Sequence, residues 1–316
     1  MDRNEFMTQA ARDIREFLPP EALQGLEITE STVIKMNDQM LRGLTFRRDK
    51  APAAPTIYLN DAYERYLDGE PMGVLLTEVA DAYMHSLDVP DPGQIDLDFD
   101  KIRDHLTVRL VEAARNREFL SEVPFMTVGN GLALVCDIKM QAGQDIWRAT
   151  VTRDMMRQNG YDRKELFASA MQSCASVDPP VLTDMEAALF SGKAGNYLNR
   201  VEPLDPDEKQ VMYILTNDTG NLGAAALFYP GMQARVAEIL NEGYTVLPSS
   251  IHEVLIVPDS AGIEADHLRQ MVREANRLVV QDKDVLSGEV YHYDPEARSL
   301  SMVKERDARA VEAGRF

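Results

Sequence analysis

The sequence predicts an α+β fold in which mixed or antiparallel sheets are flanked by helices, and three observations carry that expectation. Residues 210–258 run as a β-rich strand (211–216), a turn cluster NDTGNLG (217–223), a helical stretch (224–240, which Pro230 re-starts as a first-turn proline) and two strands (244–247, 254–257). Residues 26–48 alternate in hydrophobicity on either side of Asn37-Asp38, and 132–152 do so around Ala142-Gly143, which reads as two hairpins. Residues 55–83 and 148–174 each run strand, short helix, glycine, longer helix, and this recurrence raises the expectation of a duplicated β-β-β-α-α unit.

Taken in order, Phe6, Ala10, Ile14 and Phe17 fall at helical spacing, so 3–18 forms one amphipathic helix stopped by Pro19-Pro20. The first hairpin follows, then a strand at 55–59, a helix capped by Asn60-Asp61 and ending near Asp68-Gly69, and a second helix over 72–87. Residues 88–100 hold five aspartates, two prolines and a glycine and read as an acidic connector. The expected organisation is therefore an N-terminal α+β domain (1–100), a C-terminal α+β domain (101–303) and a frayed tail (304–316). In the second domain the pattern predicts a helix over 102–119, the second hairpin, short and long helices at 154–160 and 163–176, and a second acidic link within 176–210. A helix over 265–280 and a last hairpin around Asp294-Pro295 complete it.

With 316 residues and 45% hydrophobic composition the chain can fill sizeable cores. A net charge of −19 disfavours binding to nucleic-acid backbones or anionic membrane surfaces. It leaves open an acidic decoy that imitates DNA. Cys136 and Cys174 belong to no CxxC pattern and read as small buried residues of a reduced, intracellular chain. No uninterrupted apolar run approaches the ~18 residues of a membrane span, so the expectation is a soluble, cytoplasmic protein.

The motifs that could carry chemistry are few. Leu247-Pro-Ser-Ser-Ile-His-Glu253 gathers Ser249, Ser250, His252 and Glu253, the residue types of a serine hydrolase. Yet no G-x-S-x-G elbow surrounds either serine, and a polar loop entering a buried strand explains the same residues. His252-Glu253 lacks the second histidine of HExxH, since Ile256 stands there. The Asp96-x-Asp98-x-Asp100 run has Lys101 and Thr107 where a calcium loop needs glycine and glutamate, and Gly192-Lys193 lacks the flanking residues of a P-loop. No metal or cofactor is expected. Asn217, Asp218 and Asn221, between a strand and a helix, are candidates for holding a ligand, although a turn and helix cap explain every residue there.

The strings APTIYLNDAYERYLDG (54–69), VTRDMMRQNGYDRKELFASAM (151–171) and ILTNDTGNLGAAALFYPGM with LPSSIHEVLIVPD (from 214) resemble the bacterial proteins grouped as domain of unknown function 5688, and more weakly domain of unknown function 1444. The resemblance covers nearly the whole chain and implies a source among gut Firmicutes. It implies no activity, and it supplies no catalytic residue. The leading expectation is a non-catalytic intracellular binding or interaction protein, for which a protein partner is one candidate. The alternatives are a hydrolase-like or small-ligand-binding enzyme centred on LPSSIHEV and the acidic decoy that imitates DNA.

Overall fold

The computed structural model describes residues 1–48, 54–87, 97–129, 131–142, 145–190 and 195–304. Most of the acidic connector (88–96), the Gly143 turn, Gly192-Lys193 and the tail from 305 lie outside the described residues. The chain forms two compact units, Met1–Leu97 and Asp98–Phe316. Every strand pairing among the described residues is antiparallel, which makes this an α+β fold with antiparallel rather than mixed sheets.

In the first unit α1 (Arg3–Asp13) starts at a reciprocal capping box between Asp2 and Glu5 and tightens into a 3-10 turn over Ile14–Phe17. Strands β1 (Leu26–Lys35) and β2 (Gln39–Arg48) form the expected hairpin. Asn37 and Asp38 sit at φ 58° and 49°, the left-handed pair that a tight hairpin turn requires. Strand β3 (Thr56–Tyr58) pairs with the other edge of β2, giving the order β1-β2-β3. Helices α2 (Asn60–Leu67) and α3 (Met72–Ser86) follow. Asn60 does not cap α2. Its side chain instead accepts from the Arg42 N–H and donates to the Met40 carbonyl, tying the helix start to β2. Phe6, Ile14, Leu44, Phe46, Leu76 and Tyr83 are among the buried residues of this core, with Phe46 stacked on Tyr83 at 4.3 Å.

The second unit opens with α4 (Phe99–Ile102) and then β4 (Leu106–Glu112), where the sequence pattern predicts a helix over 102–119. The misreading has a physical origin. In LTVRLVE the strand alternation lasts only from Leu106 to Leu110, while Ile102, Leu106 and Leu110 also fall at helical spacing among charged residues. Helix α5 (Arg117–Glu122), strand β5 (Phe125–Gly129), the long β6 (Leu132–Ala142) and β7 (Asp145–Thr150) follow. β6 pairs with β4, β5 and β7, making a four-stranded sheet. Helix α6 (Arg153–Asn159) is capped by the Thr152 side chain and closed by Gly160 in the left-handed region, and α7 (Arg163–Val177) is capped by Asp162.

Within the stretch expected to be a link lie β8 (Pro180–Asp184) and α8 (Met185–Phe190). Pro179-Pro180 looks like a breaker, but a proline opening an edge strand forfeits no ladder hydrogen bond. Strand β9 (Tyr213–Asn217) leads through a 3-10 segment (Gly223–Phe228) into α9 (Met232–Leu240), so the helix expected over 224–240 is split. Gly231, at φ 75°, is the N-cap of α9, and Pro230 lies outside the helix. Then come β10 (Tyr244–Leu247), β11 (Val254–Pro258), α10 (Ala265–Leu278), β12 (Tyr291–Asp294) and β13 (Ser299–Met302). The six-stranded sheet has the order β13-β12-β10-β11-β9-β8. Leu268 and Val272 of α10 bury against Leu247, Val257 and Val290. No helix among the described residues is long and apolar enough to cross a membrane.

Candidate functional site

The connection from β10 to β11 is the LPSSIHE segment, and the fold fixes it from two sides. On one side it runs antiparallel to residues 284–287: the Ile251 N–H donates to the Asp284 carbonyl, the Leu286 N–H to the Ser249 carbonyl and the Ser287 N–H to the Pro248 carbonyl, each at 2.9 Å. On the other side the His252 carbonyl accepts the Gly223 N–H at 2.9 Å and the Thr216 hydroxyl at 2.8 Å. These bonds pair the Pro248, Ser249 and His252 carbonyls and the Ile251 N–H, the pairing that buried backbone groups require.

Asn217 builds the adjoining turn. Its Oδ1 accepts from the Thr219 and Asn221 N–H groups, both at 3.2 Å, and from the Thr219 hydroxyl at 2.9 Å, while Nδ2 donates to the Asn221 carbonyl. The side chain is buried and committed to its own loop. The turn holds Leu222 at φ 57° and aims its N–H at His252 Nδ1, 3.2 Å away. Nδ1 is therefore the acceptor nitrogen and Nε2 carries the ring proton. Nε2 lies 3.4 Å from Asp284 Oδ1. Ser250 Oγ accepts the His252 N–H at 3.0 Å, and no hydrogen bond joins this hydroxyl to the imidazole.

An open cleft is lined by Asn221, Ser250, His252, Glu253 and Asp284 together with Val279, Val280 and their neighbours. Of the residues singled out in the sequence, the structure brings Asn221, Ser250, His252 and Glu253 to one cleft. Ser249, Asn217 and Asp218 do not line it: Ser249 is buried, Asn217 organises the turn, and Asp218 is exposed with its N–H on the Pro179 carbonyl. Asp284 is the residue that sequence reasoning misses, since it lies beyond a whole helix from His252.

A second polar constellation is invisible in the sequence. Thr107 and Arg109 of β4, Asp137 and Lys139 of β6, and Arg148 and Thr150 of β7 share one sheet face by register. Asp137, fully buried, receives both Arg109 (2.6 Å) and Arg148 (3.3 Å). Asp178, which ends α7, receives Lys139 at 2.6 Å, Arg148 at 2.9 Å and the Thr107 hydroxyl at 2.7 Å. Burial pushes the Asp178 carboxyl up, but the Arg148 charge and the bonds from Lys139, Thr107 and Arg148 outweigh it and hold the group below the usual aspartate range. Three cations meet two carboxylates here, and each charged group has a partner. This arrangement reads as internal bracing. Its only sequence signal is polar residues at alternate positions of strands whose neighbours are apolar.

Glu112 sits at the end of β4, half-buried, and its Oε1 accepts the hydroxyl of fully buried Ser287 at 3.0 Å. Burial raises its carboxyl above the ordinary 4.5, partly offset by Ser287 and Arg115. A carboxyl whose folded-state value is raised favours folding below its unfolded value and loses that contribution as pH climbs through the folded one. Glu112→Gln, which keeps an acceptor for Ser287, is therefore expected to raise the thermal midpoint more at pH 7 than at pH 4. An equal change at both values would argue against it.

Cys136 and Cys174 are both free and buried, and burial pushes the Cys174 thiol up to about 11. Among the described residues no group of three or more His, Cys, Asp or Glu side chains is placed to hold a metal ion. Comparison with known proteins brings no curated protein and no solved structure that matches. A family model described as a family of unknown function (DUF5688) does match, over residues 3–295. With nearly its whole length covered, the chain belongs to that family.

Proposed function

We propose that this chain is a soluble, intracellular, non-catalytic binding protein whose ligand-facing surface is the cleft at Asn221, Ser250, His252, Glu253 and Asp284. One observation carries the reading: the imidazole is fixed by the fold rather than poised over a nucleophile. Its Nδ1 accepts the Leu222 N–H, its Nε2 faces Asp284, and Ser250 Oγ takes the His252 N–H. A serine nucleophile needs a base nitrogen in hydrogen-bond reach of its hydroxyl, and here that nitrogen is used elsewhere. What remains at the cleft is a set of donors and acceptors held by backbone ladders, the kind of preorganised surface that binding uses.

The competing hydrolase reading draws on the fact that hydroxyl, imidazole and carboxylate do share one open cleft. A panel of ester, amide, phosphoester and glycoside substrates separates the two. The expected result is no turnover above a buffer blank. Turnover that disappears in both Ser250→Ala and His252→Ala, with the fold retained by circular dichroism, would overturn the binding reading.

A further inference from the structure

Glu253 and Asp284 both line the cleft, and no lysine or arginine does so among the described residues. Asp284 stands opposite His252, whereas the half-buried Glu253 has neither an ion-pair nor a hydrogen-bond partner among the described residues. Helix α10 ends at Leu278, and Val279 and Val280, in the turn that follows, line the cleft wall, so the C-terminal end of a fourteen-residue helix adjoins the cleft. At that helix end Leu278 and Val279 are 71% and 81% exposed, the most exposed large apolar pair of adjacent residues in the described chain. Two carboxylates and Val279 thus line one cleft, with exposed Leu278 next to Val279 in the chain, a chemistry complementary to a cation beside an apolar group.

We propose that this cleft takes a basic segment of a partner polypeptide, seating a lysine or arginine between Glu253 and Asp284 and an aliphatic neighbour on Leu278 and Val279. The inference deepens the binding reading and rests on it. An anionic lipid surface or nucleic-acid backbone does not fit, because the chain's net charge of −19 repels both while attracting a basic partner. Charge steers such a segment in, and the aliphatic contact and the desolvated carboxylates then hold it.

The test uses the full chain with labelled valine and leucine methyl groups. The probe is a five-residue peptide alternating leucine and lysine, blocked at both ends, beside a matched leucine–glutamate peptide. The expected result is a saturable shift of the Val279 and Val280 methyls with the lysine peptide alone, weakening as salt is added. Glu253→Gln should weaken binding several-fold, and Glu253→Gln with Asp284→Asn about tenfold. Glu21→Gln with Glu27→Gln, which removes the same charge from exposed positions of the other unit, should leave it unchanged. Equal binding of the two peptides, equal affinity in Glu253→Gln, equal weakening by the remote pair, or no shift at these methyls would each overturn the proposal. Failure of the broader binding reading shows separately, as turnover in the substrate panel.

Discussion

Asp178→Asn is expected to lower the stability of the Asp98–Phe316 unit by about 3–5 kcal/mol, the usual consequence of leaving buried charges uncompensated. The replacement is nearly isosteric, so what changes is charge. Lys139 at 2.6 Å and Arg148 at 2.9 Å lose their carboxylate, and Asp137 alone must then answer Arg109, Lys139 and Arg148. At roughly 2–4 °C per kcal/mol for a unit of this size, the thermal midpoint should fall by about 6–20 °C. The loss should depend on pH with a definite sign. The Asp178 carboxyl is held below its ordinary 3.8 in the folded chain, so its contribution is complete above that value and fades as pH falls through the folded one. Wild type and variant should therefore differ fully at pH 7 and converge in strong acid. A difference below about 1 kcal/mol at pH 7 would mean that these charges are solvated and the network is not the brace described.

Gly223→Ala should be nearly as damaging, for a steric reason. A Cβ at this position would lie 2.3 Å from Thr216 Oγ1, 2.5 Å from the Asn217 nitrogen and 2.8 Å from the His252 carbonyl oxygen. Two of these atoms are backbone and cannot rotate away. The turn and the LPSSIHE segment must then separate, breaking the Gly223 N–H and Thr216 hydroxyl bonds to the His252 carbonyl. Overpacking of this kind costs about 1–3 kcal/mol, and the two lost bonds add about 1 kcal/mol each. We expect about 3–5 kcal/mol by urea denaturation, and a change in the His252 ring nitrogen shifts as Leu222 N–H leaves Nδ1. Gly220→Ala is the control. That glycine has φ 64° with nothing within 4 Å of the added methyl, so only the roughly 1–2 kcal/mol of left-handed strain applies. Equal effects at the two glycines would remove the close-approach argument.

Much of the fold was legible where local chemistry alone decides conformation. The Asn37-Asp38 hairpin, the Gly160 end of α6, the stripe of α10 and the β9, β10 and β11 runs are each specified by residues within a few positions of one another. Strand β4 was not legible, because its alternation is only five residues long and coincides with Ile102, Leu106 and Leu110 at helical spacing. Strand β8 was hidden by prolines that are harmless only at a sheet edge, and being an edge is a property of the assembled sheet.

The candidate site divides in the same way. The sequence by itself determined that a serine, a histidine and a glutamate would stand close together after a buried strand, and that the Asn217 turn would precede a buried segment. Tertiary structure alone decided that Leu222 and Asp284 would take up the two imidazole nitrogens, and that Val279 would border the same cleft. It also decided that seven side chains from three strands and a helix end would pair with one another inside the second unit. Hydrogen bonds and ion pairs act over about 3 Å, whereas the residues that make these are separated by tens of positions, so no pattern along the chain encodes them.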